Sequence, residues 1–133
     1  MKYVSFIVVF FISGLLASCT TGNNSITGSW QLTEHRGNNG AHDFTESIKN
    51  GPIFTFKENG VIEKDNTSGT YLISESDTTG YHQDRLYIGL GTEKLYYIYQ
   101  FESGLTTKLN LTPVTENYQL ICDEGCTDVY KRL

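Results

Sequence analysis

A chain of 133 residues with a formal net charge of −5 at pH 7 has room for one domain. Charged residues make up 19% and aromatics 13%, which excludes a disordered polyelectrolyte. No Lys/Arg cluster precedes the terminal Tyr130-Lys131-Arg132, so the acidic balance argues against a nucleic-acid partner.

Residues 1–18 read as an export signal. Lys2 supplies the positive start, and residues 3–17 form an apolar run. At roughly fifteen residues that run is short of the ~20 needed for a bilayer-spanning helix. It ends in Leu16-Ala17-Ser18-Cys19, which resembles a bacterial lipobox. The resemblance implies cleavage before Cys19, diacylglycerol on its sulfur, and an acyl chain such as palmitate on its amine. The membrane would then be a partner through Cys19, since three chains exceed the two signals that hold a protein stably, at about 0.8 kcal/mol per buried methylene. The alternative is an ordinary secretory signal with an incidental cysteine. Residues 19–25 are then the lipidated Cys and a flexible polar linker, and 26–133 the folded domain. Thr20 follows the cysteine where some lipoproteins carry Asp, which by the sorting rule of such proteins implies the outer membrane. The lack of acidic residues beside Cys19 implies its periplasmic side.

The first strand is expected over 26–35, carrying Trp30, the one tryptophan. The stretch "HRGNNGAH" that follows reads as loop. In 43–50, Phe44 and Ile48 stand four apart behind a capping Asp43, which predicts a short helix. Strands are expected at 52–57 and 61–65, joined by a turn with Gly60 at the tight position. Further strands are expected at 69–74, 85–91, 93–101, 107–114, 117–122 and 126–133. Period-two alternation puts Leu86, Ile88 and Leu90 on one face, and likewise Leu109 and Leu111. In 93–101, Leu95, Tyr97, Tyr99 and Phe101 share a face directed inward. Tyr96, Ile98 and Gln100 share the other, which the 36–51 segment or a partner would cover. Nine Tyr and seven Phe suit strands around an aromatic interior. Eight or nine short antiparallel strands with tight turns predict an all-β fold. A meander of hairpins favours a small up-and-down barrel of about eight strands, whose closure removes exposed edges.

Cys122 and Cys126 remain as an even pair for an oxidising compartment. They flank a three-residue loop whose Gly125 suits a positive φ, and they are expected to form a disulfide. Closing so small a loop stabilises by about 2 kcal/mol on the chain-entropy estimate. A redox pair or a soft-metal site are the alternatives, without a nearby histidine to support them.

Gly28-Ser29-Trp30, near the start of an all-β secreted domain, resembles the lipocalin GxW signature. The resemblance implies a Trp on the first strand at the closed end of the barrel, covered by a basic residue from the end of the last strand. Arg132 is that residue here. A buried indole needs an acceptor for its N–H, and a guanidinium on its face gains a cation–π contact of about 1 kcal/mol. Gly28, Trp30 and Arg132 would thus close the barrel. Lipobox, GxW, a "GTY" strand, an "LTP" strand and the terminal "Cys…Tyr-Lys-Arg" together resemble the small lipocalin-like lipoproteins of Bacteroidetes-type bacteria. The chain departs from typical lipocalins in its shortness and in showing no long C-terminal helix.

No catalytic set emerges, so the chain is not read as an enzyme. His35, His42 and His82, taken with Asp43 or Asp84, match no zinc spacing. No GxSxG occurs, and Gly89-Leu90-Gly91 is a strand turn rather than a phosphate loop. No catalytic residue, metal or cofactor is expected. Asp77-Thr78-Thr79 resembles an O-glycosylation pattern of such bacteria. The first functional expectation is a small apolar or amphipathic ligand in the barrel or its mouth, lined by Phe54, Phe56, Tyr97 and Tyr99. The alternative is a protein-interaction or inhibitor module acting through exposed loops and an aromatic strand face. An open cavity favours the first; a filled core with an apolar patch outside favours the second.

Overall fold

A computed structural model describes residues 25–75, 84–102, 105–122 and 125–133. Cys19, His82 and Asp77-Thr78-Thr79 lie outside these. The described residues contain nine strands and no helix: β1 (Gly28–Asn38), β2 (Asp43–Ser47), β3 (Ile53–Phe56), β4 (Val61–Lys64), β5 (Thr67–Glu75), β6 (Asp84–Leu90), β7 (Glu93–Glu102), β8 (Leu105–Val114) and β9 (Cys126–Arg132). All pairings are antiparallel and follow chain order from β3 to β9. β1 closes the ring against β9 on one side and β3 on the other. The result is the expected eight-stranded closed barrel, with β2 as an extra strand on β1 beyond β3.

Two expectations are corrected. The 43–50 segment is not a helix: Asp43–Ser47 is β2, paired with Glu34–Asn38 of β1. β1 accordingly runs on through Asn38, where a loop was expected, and the reversal is confined to residues 39–42. Residues 117–122 are not a strand either. The chain turns at Thr115–Tyr118, and one isolated bridge joins Val114 to Leu120. β9 already has β8 and β1 on its two edges, so the closed ring offers a further strand no place beside it.

The inward face follows the period-two pattern. Trp30, Phe54, Phe56, Ile62, Leu86, Ile88, Leu109 and Leu111 are all buried. Leu95, Tyr97 and Phe101 pack against this core, and Tyr99 belongs to it. The starts of β1 and β8 and the end of β9 form one end of the barrel, the base. The β4–β5 and β6–β7 turns, β2 and the start of β9 form the other, the rim. Gly60 makes its tight turn at φ 76°.

Candidate functional site

At the base the indole of Trp30 is wholly buried, and its Nε1–H donates to the carbonyl of Ile26 at 2.6 Å. Trp30 and Arg132 are direct neighbours across the β1–β9 seam. The guanidinium carbon lies 4.2 Å from the indole ring centre. Its Nη1 donates to the Thr27 carbonyl at 2.8 Å and its Nη2 to Ser25 at 2.7 Å. Gly28 sits beside it at φ 127°, and a Cβ there would lie 2.8 Å from Arg132 Nη1. The three residues that the GxW resemblance selects thus meet in one place, and the chemistry is that of a closure rather than of a site.

Of the four residues expected to line a ligand, Phe54, Phe56 and Tyr99 are packed against protein. Phe54 stacks on Tyr130 at 5.3 Å and meets Phe56 edge-on at 6.0 Å. Phe56 meets Tyr71 edge-on at 5.0 Å. Tyr99 meets Phe101 edge-on at 6.2 Å. Tyr97 is half-buried near the rim, close to Tyr130 and Asp128. Burial, with the Asp128 and Glu93 charges, pushes its phenol up to about 12. Burial likewise raises Tyr130. The neutral Tyr97 phenol therefore favours the fold below pH 10, and its contribution is lost as pH rises through the range from 10 to about 12. Also at the rim, His35 Nδ1 lies 2.7 Å from Asp128 Oδ1, a β1–β9 cross-strand pair. His42 is in the β1–β2 turn and apart from it. Among the described residues no three His, Cys, Asp or Glu side chains cluster as metal ligands.

Outside the barrel, one transverse row crosses four strands. Leu72 pairs with Tyr87, Tyr87 with Tyr96, Tyr96 with Val114, and Val114 bridges to Leu120. Directly opposed residues share a face. This row is therefore the outer counterpart of the inward Leu95-Tyr97-Tyr99 stripe. Of the two covers expected for this face, the 36–51 segment or a partner, the first pairs with β1 instead, and residues 115–122 lie over the row in part. Tyr118, at φ 59°, meets Tyr96 edge-on at 6.0 Å and receives Arg85 over its ring at 4.4 Å. Tyr87 and Tyr96 are 5.2 Å apart. Loss of solvation raises the Tyr96 phenol, helped by the Glu116 carboxylate that accepts its hydrogen bond. Leu72 remains 64% exposed, Leu120 56% and Ile121 58%. Beside this row a cleft of about 270 Å³ is bounded by Leu95, Tyr97, Pro113, Val114 and Ile121, with Lys94 and Glu116 at its edges.

The disulfide joins Cys122 to Cys126, with Cα atoms 5.8 Å apart and Gly125 at φ 84°. It ties the end of the covering segment to the start of β9. The hairpin expected around it is absent, because only its second arm is a strand.

A charged network covers the outer side of the seam. Glu34 accepts two hydrogen bonds from Arg36, at 2.9 and 2.7 Å, and lies 3.5 Å from Lys108. Lys108 in turn lies 3.6 Å from Glu102. The Arg36 hydrogen bonds hold the Glu34 carboxyl below its ordinary 4.5, against the opposing effect of burial. A depressed carboxyl stabilises the fold above its unfolded pKa, and the contribution fades as pH falls below it. Glu34→Gln should therefore flatten the acid limb of a thermal-stability profile below about pH 4.5. An unchanged slope there would show that the network contributes nothing.

These features define a closed antiparallel barrel with a sealed base and an aromatic outer row. Comparison with protein-family models, with curated proteins and with solved structures returned no match.

Proposed function

We propose that the chain is a lipid-anchored module of the bacterial envelope that binds a protein partner through its outer aromatic row and the adjoining cleft. One observation carries this reading. Among the described residues the barrel interior holds one packed cluster of side chains, from Trp30 and Phe101 at the base through Tyr130 to Leu90 at the rim. Leu72, Tyr87, Tyr96 and Leu120 meanwhile form a line on the outside. Apolar and tyrosine side chains that stay partly in water are the material of interface anchors. A small ligand among Phe54, Phe56 and Tyr99 would first have to part ring contacts already made. The Leu16-Ala17-Ser18-Cys19 sequence supports the tether, and Thr20 with the lack of acidic residues beside Cys19 supports an outer-membrane, periplasm-facing location.

The test is made in the protein's own host. A photo-crosslinker at Tyr96 should trap one discrete protein, and the pair Leu72→Ser and Tyr87→Ala should abolish the adduct with the fold intact. Native mass spectrometry of the same preparation should show an empty barrel. A stoichiometric lipid-sized mass, without a protein adduct, would overturn the proposal in favour of a barrel ligand.

A further inference from the structure

A closed barrel has no edges, yet β2 lies outside the ring and pairs with β1 alone among the described residues. All five of its residues are exposed. The hydrogen bonds at its two ends fix which of its peptide groups are used. Asn39 N–H donates to His42 C=O at 3.2 Å, and Ile48 N–H donates to Thr33 C=O at 2.8 Å. Hydrogen-bonded and non-bonded pairs alternate along an antiparallel ladder. Counting inward from either end gives the same answer: Phe44 and Glu46 direct their peptide groups at β1. Asp43, Thr45 and Ser47 direct their N–H and C=O groups away, to an open edge.

Such an edge recognises one thing well, another extended chain. Proteins usually guard it with proline, lysine or a bulge. β2 reads Asp43-Phe44-Thr45-Glu46-Ser47 and has none of these. The strand is instead complementary to itself. Antiparallel pairing about a twofold axis through Thr45 sets Thr45 against Thr45 of a second copy, Asp43 against Ser47, and Phe44 against Glu46. No carboxylate faces a carboxylate directly. The three free peptide groups of each copy meet those of the other in register, giving hydrogen-bonded pairs at 43–47, 45–45 and 47–43. Phe44, 41% exposed in the monomer, lies diagonal to its own counterpart across the axis, within the reach of aromatic side chains.

We propose that β2 is a homodimer edge, at which two copies join through antiparallel β2–β2 pairing centred on Thr45. The contact is isologous and closes after two copies, so it cannot propagate into a fibre. It is also short, so the dimer is weak and depends on concentration.

Sedimentation and cysteine cross-linking of the full chain test this. The parent protein should shift reversibly toward dimer as concentration rises. Thr45→Pro should weaken that association at least tenfold. It should leave the monomer folded, because Thr45 N–H makes no bond to β1 and proline is tolerated at such edge positions. Thr45→Cys should form an interchain disulfide under mild oxidation, because Cα atoms of a hydrogen-bonded pair lie about 5.5 Å apart, within disulfide range. Ser68→Cys, exposed on another strand, should cross-link several-fold less. The proposal is overturned if parent and Thr45→Pro sediment alike at every concentration, or if Thr45→Cys cross-links no faster than Ser68→Cys. Should Thr45→Pro fail to fold, the cross-linking comparison decides alone.

Discussion

Trp30→Ala is expected to lower stability by about 3–5 kcal/mol, the range for removing a large buried aromatic side chain. The indole is fully buried, its N–H is bonded to Ile26, and its ring lies 5.9 Å from that of Phe101. Arg132→Ala should cost less, because the indole keeps its partners on the other side. The two losses should not add. Deleting the ring leaves the guanidinium nothing to stack on, so a double-mutant cycle in urea should return a coupling of about 1 kcal/mol. Arg132→Lys should recover only part of the loss, since an ammonium group cannot stack flat while donating to both Thr27 and Ser25. Red-shifted, solvent-exposed Trp emission from the folded parent would contradict the burial on which all of this rests.

The second large effect is expected at Gly69, on β5. A Cβ there would stand 2.0 Å from the carbonyl oxygen of Gly89 and 3.0 Å from Leu90 Cδ2. The obstacle is the backbone of the paired strand β6, which cannot rotate aside as a side chain does. Gly69→Ala should therefore push β5 from β6 and cost about 3 kcal/mol, the upper part of the usual overpacking range. Gly89→Ala provides the contrast. Its Cβ would meet the Tyr87 hydroxyl at 2.9 Å, the far end of a side chain on the open surface. That change should cost under about 1 kcal/mol, because the ring can yield. Melting curves of the two variants side by side would separate a backbone clash from a general intolerance of alanine in these strands.

Much of the barrel was legible because period-two alternation reports burial directly. Leu86, Ile88, Leu90, Leu109 and Leu111 all face inward as their spacing required. The Trp30–Arg132 meeting was legible for another reason: a resemblance supplied a long-range partner that no local pattern could. The failures lie where local pattern and global pairing disagree. Phe44 and Ile48 are spaced as on a helix, but Glu34–Asn38 offered a free strand edge, and pairing with it prevailed. Tyr118 and Leu120 alternate as in a strand, but only the short end of β8 was left for 117–122 to join, and a single bridge from Leu120 to Val114 forms there. The segment instead turned, put Tyr118 at positive φ, and covered Tyr96. The outer aromatic row was half legible. Tyr96 was recognised as facing away from the interior, while the alignment of Leu72, Tyr87 and Leu120 with it depends on registers that the sequence does not state.

The seam between β1 and β9 bears on timing. Trp30 lies on the first strand of the barrel and Arg132 ends the last. Leu133 N–H also donates to the Ser29 carbonyl, at 3.0 Å. The ring cannot close until β9 has been made and brought to β1. Until then Trp30 has no cover and the first strand has a vacant side. The same dependence makes Arg132 and Leu133 costly to lose, because both hold the last strand to the first. Removing Arg132 and Leu133 would take away the latch rather than a tail.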